Sequence, residues 1–150
     1  MIDIEELTLR NKLASFLTPP EDISPVEWAN TRRYLPATCA NPGLFKTSKV
    51  PYMEEVLLTA IDPKIETIVL MFAAQTGKTE ILNTMIGYYS DVLPTSMLYV
   101  MPSKEDAATL VKTRINPMFA DCPTLQDKIS DDHLSGNTTF FKQFPGGVIS

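Results

Sequence analysis

The sequence predicts an α/β fold: a partial three-layer αβα arrangement around a parallel sheet, preceded by a helical and loop-rich N-terminal segment. Three observations carry that prediction. Ile68-Val69-Leu70-Met71-Phe72 is a short, continuously apolar run of the kind that a parallel strand buried on both faces requires. It leads without a break into Ala73-Ala74-Gln75-Thr76-Gly77-Lys78-Thr79, after which Ile81, Leu82, Met85, Ile86 and Tyr89 recur at helical spacing. Met97-Leu98-Tyr99-Val100-Met101 is a second buried-strand candidate, and Pro102-Ser103 opens another helix through Ala107, Leu110, Val111 and Ile115. Strand, loop, helix, strand, helix is a βαβ plan, whose connection between parallel strands is right-handed.

Taken in chain order, the division falls near Asp62-Pro63, giving a helical and loop segment over 1–62 and the strand-and-helix core over 63–150. Ile4, Leu7, Leu13, Phe16 and Leu17 fit one face of a helix that ends before Pro19-Pro20. Ser24-Pro25-Val26-Glu27 has the form of a capping box, with Ser24 as cap, Pro25 at the first helical position and Glu27 able to reach back, so a short helix to about Leu35 is expected. Asn41-Pro42-Gly43 marks a turn, and the stretch to Val50 has the character of a surface loop. Pro51 starts a helix with Met53, Val56, Leu57 and Ala60 inward, stopped at Asp62-Pro63. After Asn116-Pro117 the pattern weakens; a strand is expected around Thr138 to Phe141, then a turn at Pro145-Gly146-Gly147 and the first residues of another strand at Val148-Ile149. A parallel sheet seldom stops in mid-strand, so a truncated domain is expected.

With 150 residues and 44% hydrophobic content, the chain has the size and apolar fraction of one globular domain. Thirteen Lys and Arg against eighteen Asp and Glu give a net charge of −5, so no overall positive field draws it to DNA or an anionic membrane. Any nucleic-acid contact must be a local patch. Cys39 and Cys122 lie outside any paired-Cys motif and suit reduced structural thiols in a cytoplasm. The amino terminus, Met1-Ile2-Asp3-Ile4-Glu5-Glu6, is acidic where a signal peptide is basic, and no apolar run approaches the length of a membrane span. A soluble, cytoplasmic protein is expected.

The chemistry lies in the glycine–lysine loop. The phosphate-binding pattern asks for Gly, four residues, then Gly-Lys-Ser/Thr between a strand and a helix. Here Phe72 occupies the first glycine position while Gly77-Lys78-Thr79 is intact. Backbone N–H groups from about Ala74 through Gln75 and Thr76 to Thr79 would form an anion nest at a helix N-terminus, whose dipole favours phosphate. Gly77 permits close approach, Lys78 reaches the β and γ phosphates of ATP, and the Thr79 hydroxyl sits on Mg²⁺. A Gly-Lys-Ser/Thr triplet arises by chance in roughly one chain in ten of this length, so the flanking strand and helix carry the assignment; the bland alternative is a solvated turn. Hydrolysis also needs an acidic pair ending a later apolar strand. Glu5-Glu6, Glu54-Glu55 and Asp131-Asp132 all lack such a run, so these residues alone do not complete a hydrolytic cycle.

The chain resembles the large terminase subunit of tailed bacteriophages, the lambda-type, GpA-like family. The resemblance rests on Ser24-Pro25-Val26-Glu27-Trp28-Ala29, Tyr34-Leu35-Pro36, Pro42-Gly43 with Phe45, and Pro51-Tyr52 leading into a helix. It continues through Ala73 to Glu80, Asn83, Gly87-Tyr88, Pro102 with Asp106-Ala107, and Phe144-Pro145-Gly146-Gly147. It implies an ASCE-type P-loop NTPase fold, RecA- or helicase-like, in an ATP-driven DNA-packaging motor of the host cytoplasm with an attached nuclease. The implied partners are double-stranded DNA, the terminase small subunit, the portal and further copies of the chain. The Asp-Glu strand, coupling motif and nuclease would lie beyond Ser150. Relatives often carry an arginine in the loop, where this chain has Ala74 and Gln75, so an arginine from elsewhere or a neighbouring subunit would serve.

Tyr52 and Phe45 precede the loop strand where the family's adenine pocket forms; either can stack on a purine or simply pack in the core. Trp28 suits a packing anchor. Arg32-Arg33, Lys46 with Lys49, and Lys112 with Arg114 are the basic clusters, either DNA-tracking if they share a face or ordinary solvated surface. His133 stands alone among Asp131, Asp132 and Ser135, a poor metal set. Two other functions fit the loop: a different P-loop translocase of the helicase kind, and a non-catalytic remnant or interaction module.

Overall fold

The computed structural model describes Arg10, Pro19 and residues 21–126, 128–129 and 137–150. Apart from Arg10, the helix expected over 4–17 lies outside these residues, as do Asp131, Asp132 and His133. The first described helix, α1 (Pro25–Arg32), begins as its capping box dictates: Pro25 sits in the first turn and the Ser24 hydroxyl accepts from the Glu27 N–H at 3.1 Å. It stops three residues earlier than expected, because Tyr34–Leu35 (β1) leaves to pair antiparallel with Gly43–Leu44 (β2). The stretch expected as surface loop is therefore tied down. It continues into a 3₁₀ turn (Thr47–Lys49) whose buried Thr47 accepts from the Asn30 side-chain amide at 2.8 Å and donates to Glu54 at 2.6 Å.

Helix α2 (Tyr52–Thr59) buries Met53 and Leu57. Helix α3 (Lys78–Asp91) is the centre of the molecule and buries more than one face: Ile81, Met85 and Ile86, but also Asn83, Thr84, Gly87, Tyr88 and Ser90. Leu82, expected inward, is exposed. Helix α4 (Lys104–Leu110), capped by Ser103, which accepts from the Asp106 N–H at 3.1 Å, runs through a π turn (Val111–Ile115) into α5 (Asn116–Asp121). The helix thus outlasts Pro117. Proline has no N–H to give, and the wider π turn just before it is where the helix absorbs that loss.

The chain closes with the hairpin β3 (Lys142–Phe144) and β4 (Gly147–Ile149), joined at Pro145-Gly146; the strand expected at Thr138 to Phe141 is displaced toward the C-terminus. Gly146 has φ +92°, and a Cβ there would come within 2.5 Å of Pro94, so only glycine fits the turn.

The fold is mixed α/β, but the expected three-layer parallel sheet is not formed among the described residues. Both sheets are two-stranded and antiparallel. The run 65–73 has no strand beside it; Leu70 and Phe72 turn toward the core while Val69 and Met71 are 75% and 90% exposed. A parallel strand buried on both faces needs strands at its edges and helices on each side, and here only one side is covered. Among the described residues the one parallel pairing joins Met97 to Ile149. The Met97 N–H donates to Val148 O at 2.7 Å, and the Tyr99 N–H donates to Ser150 O at 2.8 Å.

The N-terminal segment is fastened to α3 at several points, through Trp28, Arg33 and the Ile23 carbonyl. At the far end, the indole of fully buried Trp28 lies where a Cβ on Gly87 would approach to 2.2 Å, and its N–H donates to Asp91 at 2.8 Å. Asp91, its side chain 6% exposed, also accepts from Lys128 at 2.7 Å and Arg32 at 3.1 Å. Burial alone would raise this carboxyl, but the hydrogen bonds from Lys128 and Trp28 and the Lys128 charge hold it below the ordinary range. A depressed folded value means stability that is present above the unfolded value near pH 4 and lost as pH falls through the folded value. Asp91→Asn is therefore expected to flatten the acid limb of the stability–pH curve. Equal acid slopes for both proteins, from urea midpoints between pH 2 and 6, would contradict it.

Candidate functional site

Residues 73–79 link the 65–73 run to α3, and their backbone is unusual. Gln75 has φ 59° and Gly77, the N-cap of α3, has φ 89°. Left-handed residues placed this way turn successive N–H groups to one side of the chain. No backbone N–H from Ala74 to Thr79 donates to a protein acceptor among the described residues, and no side chain caps α3. The helix therefore presents uncommitted donors and the positive end of its dipole at one place. Space alone would admit a Cβ at Gly77, whose nearest neighbour would be the Met53 sulfur at 3.7 Å; the positive φ is what calls for glycine.

Lys78 folds back over the loop. Its ammonium donates to Phe72 O at 3.0 Å and Ala73 O at 2.6 Å. The Thr76 hydroxyl donates to Ala73 O at 2.7 Å, and the Tyr52 hydroxyl donates to Thr76 O at 2.7 Å. Tyr52 also meets Phe72 edge to face, with ring centroids 5.8 Å apart. Thr79 is exposed, and its hydroxyl makes no hydrogen bond among the described residues.

The structure brings Tyr52 onto the loop with Ala74, Gln75, Thr76, Gly77, Lys78 and Thr79, but not Phe45. That ring is buried, with the Arg33 guanidinium 4.8 Å above its centroid. Trp28 is the core anchor its sequence position suggests. The basic clusters are largely spoken for: Arg32 pairs with Glu21 and Asp91, Arg33 with Glu80, and Arg114 with Glu80 at 3.4 Å. Lys46 and Lys49 reach Asn30 O at 3.3 Å and Asn41 at 3.4 Å. Both cysteines are free, and burial pushes the Cys122 thiol above its ordinary value, in keeping with an inert structural role.

Chemically, the loop fits an anion of several oxygens: backbone N–H donors and one flexible ammonium. Thr79 suits one position in the shell of a hard cation. No group of three or more His, Cys, Asp or Glu able to hold a metal occurs among the described residues. The Glu80 carboxylate, next in sequence, is engaged by Arg33 and Arg114 and is not free to act as a base. Nothing local in the sequence marks that pairing, because Arg33 and Glu80 are distant along the chain.

Residues 39–150 match the family model of the phage terminase large subunit gpA, ATPase domain. The chain is 26% identical over 133 residues to the large terminase subunit of Enterobacteria phage P21, covering 86% of this chain and 20% of that protein. It is likewise 26% identical over 107 residues to the large terminase subunit of Escherichia phage lambda, covering 71% of this chain and 16% of that protein. The chain thus spans about a fifth of the length of these relatives. No solved structure matches it. No helix among the described residues is long and apolar enough to cross a membrane.

Proposed function

The chain belongs to the phage terminase large subunit gpA ATPase-domain family, and from that premise we propose that Ala74 to Thr79 hold the phosphates of ATP·Mg²⁺ for a DNA-packaging motor. One observation carries the reading: no backbone N–H across Ala74–Thr79 meets an acceptor among the described residues, at the head of a helix that begins at Lys78 and has no side-chain cap. The backbone donors cradle the α and β phosphates and Lys78 leaves the Phe72 and Ala73 carbonyls for the β and γ phosphates. Thr79 offers its hydroxyl to Mg²⁺, which when bound neutralises phosphate charge. Tyr52 fastens the loop through Thr76 O, and its half-exposed ring is the surface on which adenine stacks.

In this reading 1–62 braces a nucleotide-binding core over 63–150. The motor works on double-stranded DNA in the host cytoplasm, with the terminase small subunit, the portal and further copies of the chain. The arginine that steadies charge on the transferred phosphate comes from outside the loop, and no residue of 1–150 is assigned to water activation or to DNA cutting.

Thermal unfolding tests the proposal. At about a hundred times its dissociation constant, a ligand that binds only the folded state stabilises by about 2.7 kcal/mol. ATP·Mg²⁺ is expected to raise the midpoint accordingly, and an unchanged midpoint at millimolar ATP·Mg²⁺ would refute the assignment.

A further inference from the structure

Arg33 is among the most buried side chains of the molecule, at 2% exposure, although the side chain of its neighbour Arg32 is 26% exposed. Burying a guanidinium is costly unless its donors are met. Its partners are specific: Nη1 donates to Glu80 O at 3.1 Å and to the Thr84 hydroxyl, Nη2 donates to the Glu80 carboxylate, and the plane lies over Phe45. Only Nε is without a partner. Every polar partner belongs to the first turns of α3, the helix that begins at Lys78, and Glu80 directly follows Thr79. Arg114, from the π turn, reaches the other oxygen of the same carboxylate at 3.4 Å.

A carboxylate in the first turn of a helix is ordinarily favourable, because it complements the dipole. At a helix whose N-terminus must receive a polyphosphate it becomes a competitor, repelling the ligand and offering Lys78 an alternative partner. We propose that Arg33 is a positioning residue of the phosphate loop: it pins and neutralises Glu80, with Arg114 assisting, so that the mouth of the loop stays positive. A residue of the N-terminal segment would thereby tune nucleotide affinity without touching nucleotide. This rests on the loop being a nucleotide site.

The test is a titration of fluorescent ATP analogue with Mg²⁺ into the parent chain, Lys78→Ala, Arg33→Met, and Arg33→Met/Glu80→Leu, each first checked for folding by circular dichroism. Arg33→Met is expected to weaken binding about tenfold, the size of one released like charge near the ligand, and the double variant to recover most of that loss. Recovery of affinity without a matching change in urea midpoint is the discriminating result, since a purely structural ion pair would lose and regain stability together with affinity when one and then both partners are removed. Should Arg33→Met not fold, Arg33→Lys, which keeps the charge but loses the fork, is read the same way with a loss of about threefold. Parent-like affinity in the single variant, or a loss that the second change does not restore, overturns the proposal and leaves the loop assignment intact. If the parent fails to bind, or Lys78→Ala binds equally, the loop assignment falls and this proposal falls with it.

Discussion

Lys78→Ala is expected to weaken ATP·Mg²⁺ binding at least about 100-fold, about 2.8 kcal/mol, while leaving the fold in place. The ammonium lies on the loop as a positive charge, donating to two backbone carbonyls, Phe72 O and Ala73 O. Ala73 is exposed and Phe72 partly so, so water can take over those acceptors when the side chain is cut back, and little stability should be lost. Lys78→Arg is not expected to restore binding, because a wide planar fork does not fit where a compact charge sits among backbone donors. A fluorescent-nucleotide titration with urea midpoints on the same preparations separates the two effects. Parent-like affinity in folded Lys78→Ala would show that the loop is a solvated turn.

The second large effect is on stability. Trp28→Ala is expected to cost about 3–5 kcal/mol, the usual range for emptying a fully buried aromatic site, because Trp28 lies fully buried against Gly87 and hydrogen-bonds Asp91. Trp28→Phe keeps much of the volume but leaves Asp91 short of one donor, an expected cost of about 1–3 kcal/mol. Chemical denaturation ranks the three proteins. A loss below about 1 kcal/mol for Trp28→Ala would mean that this contact is no anchor.

Local signals were the ones that could be read. Ser24-Pro25 and Ser103 each start a helix because capping is settled within three or four residues, and Gly77-Lys78-Thr79 marks the helix head because its backbone demands are equally local. The sheet was not legible. A continuously apolar run at 68–72 is compatible with burial on both faces, yet only Leu70 and Phe72 face the core, and no periodicity reveals which strands lie alongside. Helix α3 looked amphipathic by its aliphatic residues alone, but its polar Asn83, Thr84 and Ser90 are buried too, with Arg33 on Thr84 and Trp28 against Gly87. Arg33 was misplaced for the same reason. In sequence it is half of a basic pair, and its partners Glu80, Thr84 and Phe45, all distant along the chain, make it an interior residue.

The central claim is that the backbone amides of the loop hold phosphate, and amide chemical-shift mapping tests it most directly. In the ¹⁵N-labelled chain, ATP·Mg²⁺ is expected to move the resonances of Ala74, Gln75, Thr76, Gly77, Lys78 and Thr79 together and saturably, with Tyr52 perturbed through its bond to Thr76. Saturable shifts that bypass 74–79 and gather elsewhere on the molecule would contradict it.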